Sequence, residues 1–134
     1  MKFKLEYYWF LIFAFGFTAF NQIQDNIRPN YMGDNPVCKY LLGIAPNFFP
    51  AIGIPALFVL FSSYLLKKNY SGTRFYENRH LFANLFSVIG LVGWEFLQRS
   101  GKLHFDWHDI LWTLIGAILF QVIWILSPQK YKEI

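Results

Sequence analysis

The sequence predicts an all-α membrane protein, a single domain over residues 1–134 built as a bundle of four transmembrane helices with both termini in the cytoplasm. Three observations carry this expectation. Hydrophobic residues make up 55% of the chain, aromatics 22% and charged residues only 15%, far from the mix of an ordinary soluble domain. The apolar residues gather into four runs, each close to the roughly 20 residues that a helix needs to cross a bilayer. Basic residues concentrate on alternate connections.

The first run extends from Tyr7 to Ile23. Lysines precede it, as in a signal peptide, but "FTAFNQIQ" puts bulky residues where a small-x-small cleavage site belongs, so an uncleaved first helix is expected. The second run, Phe48 to Leu66, carries Pro50 and Pro55 near its start and reads as a kinked helix, since neighbouring helices can satisfy the carbonyls that proline frees. The third runs from Leu81 to Gln98 and the fourth from Trp107 to Leu126. A membrane barrel would show short alternating segments instead of these continuous ones. Between the first two runs, Gln24 to Pro46 reads as a long loop bearing Asp25, Arg28 and Asp34, with the length of a lid. Cys38 is the one cysteine, so no disulfide forms within the chain.

Orientation follows from the basic residues. Lys2, Lys4, Lys67, Lys68, Arg74, Arg79, Lys130 and Lys132 lie at the two ends and in the middle connection. Arg28, Lys39, Arg99 and Lys102 occupy the other two connections, so the positive-inside rule puts both termini in the cytoplasm. The net charge of +4 thereby has a topological reason, and nucleic acid is not expected as a partner.

This topology brings the end of helix one, the start of two, the end of three and the start of four to the outer face. The polar residues lie there as well. Thr18, Asn21 and Asp25 share one face of helix one. Asn47 opens helix two. On helix three Asn84 and Ser87 recur eleven residues later as Glu95 and Gln98, close to three full turns. Helix four begins with Asp106 and Asp109 and continues on the same face to Thr113 and Gly116. Asp106 suits an N-cap, whereas Asp109 lies a turn deeper. Glu95 near the end of an apolar span must be paired, hydrated or protonated, with a snorkelling or Arg99-paired side chain as its structural alternative.

"HFDWHD" raises metal binding, because His104, Asp106, His108 and Asp109 are possible ligands. The stretch lacks the HExxH order, so neither a metal nor another cofactor is predicted. Ser100 and His104 lack the context of a nucleophile elbow, and no catalytic residue is assigned. Trp94, Trp107 and Trp112 fit an aromatic belt at the headgroups.

Taken together, "EFLQ", a short loop and "DWHDILWTLIGAILF" resemble the VanZ-like family of small bacterial membrane proteins. In that family a third helix ends in Glu-x-x-Gln and the last helix starts with aspartates, followed by Asn and Gly. Glu95, Gln98, Asp106, Asp109 and Gly116 match, Thr113 stands where Asn is usual, and Lys102 is the nearest basic residue to the family's arginine. The resemblance covers about the C-terminal third and implies a multi-pass protein of the cell membrane with a role in the envelope, in a family named for a member linked to glycopeptide resistance.

The expected function is therefore an outward-facing polar site of Glu95, Gln98, Asp106, Asp109, Thr113, Asn21 and Asp25 that binds a lipid headgroup or envelope precursor. Two alternatives stand beside it. One is a non-catalytic accessory subunit whose polar residues, with Gly90 and Gly93, serve helix packing against a membrane-protein partner. The other is a hydrolase of lipid-linked substrates, using a metal or the Glu95 and Asp109 carboxylates.

Overall fold

The computed structural model describes residues 7–70, 72–99 and 106–133, with the backbone alone at 67–68 and 98–99. Helix α1 (Tyr7–Asn21) runs without a break into a π-helical stretch (Gln22–Ile27) and a single turn, α2 (Arg28–Asn30). A 35-residue helix, α3 (Pro36–Tyr70), follows. Next come the short α4 (Arg74–Glu77), then α5 (Arg79–Arg99), α6 (Trp107–Leu126) and the terminal turn α7 (Gln129–Lys132). No strand occurs among the described residues. Three helices are long and apolar enough to cross a membrane, over Pro36–Leu66, Arg79–Leu97 and Trp107–Leu126.

Helix α3 is the centre of the bundle and packs against α1, α5 and α6. Two of these contacts require glycine. A Cβ on Gly16 would lie 2.9 Å from the Phe49 carbonyl oxygen and 3.1 Å from the Gly53 Cα, so α1 and α3 cross backbone against backbone. A Cβ on Gly116 would lie 2.6 Å from the Phe48 carbonyl oxygen and 2.8 Å from the Ala51 Cβ, which sets α6 equally close on another side. Small residues at such crossings let van der Waals contact hold helices together where lipid removes the hydrophobic drive.

The core lies towards the chain termini. Trp9, Ala56, Val59, Ala83, Phe120 and Trp124 form it, with Trp9 stacked on Trp124 at 5.0 Å between ring centroids. Here the last turn is tied down as well. Trp9 Nε1 donates to the Tyr131 carbonyl at 2.6 Å, and the buried Arg79 guanidinium donates to the carbonyls of Tyr76 and Lys132. A buried cation is tolerable on these terms because carbonyl acceptors and the Tyr76 ring, 4.2 Å away, replace its water.

Helices α5 and α6 run antiparallel in a register set by two bonds. Asn84 Nδ2 donates to the Ala117 carbonyl at 3.0 Å, and Gln121 Nε2 to the His80 carbonyl at 3.4 Å. This register brings the end of α5 beside the start of α6.

The segment Gln24 to Pro46 is not the loop that its polar residues and prolines imply. It is helical up to Asn30 and again from Pro36, leaving residues 31–35 as the connection. Asn35 caps the new helix, its Oδ1 accepting from the Val37 and Cys38 amides at 2.9 and 3.3 Å, while Pro36 sits where a missing N–H costs nothing. Asn47 accordingly lies inside α3 and does not open it, and the helix continues through Pro46, Pro50 and Pro55. Gly90 and Gly93 face away from the helix crossings. A Cβ on either would meet nothing within 4 Å, so they mediate no approach inside the bundle.

Candidate functional site

Three helix faces turn polar at the same end of the bundle. On α6 the buried positions Thr113, Gly116, Ala117, Phe120 and Trp124 trace one face, and Asp109 extends it by one turn. On α5 the buried face includes Ala83, Ser87 and Glu95. On α3 Asn47 lies between the buried Ile44 and Ala51, three residues after one and four before the other. Ala51 packs on Gly116, which holds α3 and α6 side by side one turn from Asn47 and two turns from Asp109.

The Asn47 side chain lies close to both Glu95 and Asp109, and the Asp109 charge bears on Glu95. Glu95 is only 2% exposed, and its Oε2 has no hydrogen-bond partner among the described residues. Asp106 and Arg28 add charge to the surroundings of Asp109, Arg28 from the turn after α1, where its guanidinium donates to Gln24 Oε1 at 3.3 Å.

Other residues fix this arrangement. Asp106 Oδ1 accepts from the His108 amide at 2.9 Å and so caps α6. Thr113 is fully buried and donates to the Asp109 carbonyl at 2.9 Å. Above the carboxylates, Trp112 Nε1 donates to the Tyr40 hydroxyl at 2.9 Å, and that hydroxyl meets His108 Nδ1 at 3.1 Å. Since the hydroxyl accepts from Trp112, its own proton is available to His108. The first turns of α3 thus form one wall of the site.

Of the residues singled out in the sequence, Glu95, Asp109, Asp106 and Thr113 fall together here. Asn21 and Asp25 do not join them by any hydrogen bond or ion pair among the described residues. For Asp25, the π-helical stretch that starts at Gln22 has a wider turn that shifts it off the face that a 3.6-residue period assigns it. Thr18 and Asp25 are exposed. Ser87 is buried, with its hydroxyl lacking a partner among the described residues, and continues the polar face of α5 inward. The side chains of Gln98 and Arg99, and all of Ser100, Lys102 and His104, lie outside the described residues. The Arg99 pairing and the metal pair of His104 with His108 lie there too.

Tyr40 and Arg28 are site residues that the sequence reading missed, because both stood in the presumed loop. The signal for Tyr40 was present: Asn35 followed by Pro36 is a helix start.

Chemically the centre offers carboxylate oxygens and one amide, an arrangement that accepts hydrogen bonds more than it donates them. It suits a ligand rich in donors, such as sugar hydroxyls or an ammonium group. Among the described residues no three His, Cys, Asp or Glu side chains are grouped to hold a metal ion. No family model, curated protein or solved structure matches the chain.

Proposed function

We propose that the chain is a multi-pass protein of the cell membrane, a VanZ-like envelope protein whose Asn47, Glu95 and Asp109 bind the donor-rich headgroup of a membrane lipid or envelope precursor. The observation that carries this reading is the convergence of those three side chains from three helices around a carboxylate that is 2% exposed and has an unpartnered oxygen. Ionisable groups inside a membrane bundle are expensive and usually mark a site. A bound ammonium or hydroxyl supplies the missing donor.

In this reading α1 is the fourth span and both termini are cytoplasmic, as the distribution of lysines and arginines favours. The outward faces of α1 support it, since Phe10, Leu11, Phe15 and Phe17 are all exposed as lipid-facing residues would be.

Native mass spectrometry of wild type and Asp109→Asn, extracted in parallel from native membranes at matched helicity, tests the reading. A lipid or precursor retained by the wild type and lost from the variant is expected. Identical lipid in both would overturn it.

A second reading, a non-catalytic accessory subunit, has its own support in the open positions Gly90 and Gly93 on α5, where nothing lies within 4 Å of a notional Cβ. A partner helix could approach closely there. It predicts that bulky replacement at Gly90 releases a co-purifying protein while lipid binding persists.

A further inference from the structure

The junction of α4 and α5, at the opposite end of the bundle from the carboxylates, holds a groove of about 460 Å³ lined by Arg74, Asn78, Leu81, Phe82 and Leu85. That volume lies in the range of small-molecule sites, roughly 300–1,000 Å³. Its two ends differ chemically. Leu81, Phe82 and Leu85 belong to the apolar span Arg79–Leu97 and are substantially exposed, whereas Arg74 and Asn78 precede the span and sit at headgroup level.

Local structure fixes the groove in advance. Thr73 caps α4 by accepting from the Tyr76 amide at 3.3 Å, and the Phe75 ring packs on Phe82 at 4.8 Å, folding α4 against the first turns of α5. Asn78 Nδ2 donates to the Arg74 carbonyl at 2.8 Å, which ties the end of α4 to its own start.

The cations at this end have different commitments. Arg79 is buried and bonded to the Tyr76 and Lys132 carbonyls. Arg74 is exposed, and the only ion pair among the described residues is Lys39 with Asp34, so Glu77 on the same short helix makes no direct ion pair with it. An unpaired guanidinium above an apolar wall matches a phosphate joined to an acyl chain, because the planar fork can take two phosphate oxygens.

We propose that this groove binds one anionic glycerophospholipid, its phosphate on Arg74 and Asn78 and an acyl chain along Leu81, Phe82 and Leu85. A zwitterionic lipid fits less well, since its ammonium adds a second positive charge beside Arg74. The site depends on α5 crossing a membrane and is independent of ligand binding at Asn47, Glu95 and Asp109.

The test is native mass spectrometry of the full chain reconstituted with equal phosphatidylglycerol and phosphatidylethanolamine, then released from the bilayer. The wild type is expected to retain phosphatidylglycerol about fivefold over phosphatidylethanolamine, the contribution of one basic residue at an anionic surface. Arg74→Gln is expected to lose that preference, Arg74→Lys to keep part of it, and Asp109→Asn to keep all of it. A preference that survives Arg74→Gln overturns the proposal, and one lost only in Asp109→Asn assigns the lipid to the carboxylate site instead. A photoreactive residue at position 85 should crosslink to lipid in membranes, and a protein crosslinked in its place would also overturn the proposal.

Discussion

Gly116 of α6 lies directly against Phe48 of α3, so close that a Cβ on the glycine would fall 2.6 Å from the Phe48 carbonyl oxygen. Asn47 precedes Phe48 on α3 and Asp109 lies two turns before Gly116 on α6, so this contact fixes how closely the two helices that carry them approach. Gly116→Ala must push the two helices apart, at a cost of about 1–3 kcal/mol for an overpacked contact. Gly90→Ala meets no atom within 4 Å and should be neutral, or stabilising by about 0.5–1 kcal/mol through its better helix propensity. Unfolding of both variants in detergent checks the pair, and equal stability would contradict the close approach.

Trp9 joins the two ends of the chain. Its ring stacks on Trp124 at 5.0 Å and its Nε1 donates to the Tyr131 carbonyl at 2.6 Å. Trp9→Ala is expected to cost about 3–5 kcal/mol, as for other large buried aromatics. Trp9→Phe keeps part of the packing and loses the hydrogen bond, for about 1 kcal/mol. Protease sensitivity of the C-terminal turn should rise in both, more steeply in the alanine variant.

Glu95→Gln separates stability from binding. The replacement keeps the shape and removes one of two carboxylates that share Asn47. Relief of that crowding is expected to raise stability by about 1 kcal/mol, a gain of the size found when strained functional sites are relaxed. Ligand retention should fall in the same variant. Reduced stability together with unchanged ligand would assign Glu95 a packing role.

Cys38 tests the orientation without any engineered label, since the chain has no other cysteine and this one is free and partly exposed. With both termini cytoplasmic, the first turn of α3 faces the outside. A membrane-impermeant maleimide should therefore label intact cells, with no further gain after lysis. Labelling only after lysis would reverse the topology.

The sequence was most informative where one face decides the structure. Helix α6 occupies the predicted limits of Trp107 and Leu126, and α5 exceeds its predicted range by two residues at the start and one at the end. Continuous apolar runs with no proline leave little else for the backbone to do in lipid. Helix α3 was half hidden, because Pro46, Asn47 and Pro50 together look like turn chemistry. Packing on α1, α5 and α6 overrides that local preference. Helical spacing put Glu95 and Asp109 each on a polar stripe of its own helix, but the approach of the two helices, and with it the distance between the carboxylates, was not legible in the sequence. The π-helical stretch at Gln22 was not either, because its extra residue per turn leaves no mark in composition, and it moved Asp25 out of the site.

The length of α3 has a mechanical consequence. Its 35 residues measure about 52 Å at 1.5 Å per residue, while the hydrocarbon of a bilayer is about 30 Å thick and ordinary tilt recovers only a few Å. A helix of that length outreaches the hydrocarbon, and its first turns are braced like a mast, stepped at Asn35 and stayed to α6 through Tyr40, His108 and Trp112. On the proposed reading, a ligand travelling to Glu95 passes a fixed post, and the shape of that entrance, more than any opening motion, selects what arrives.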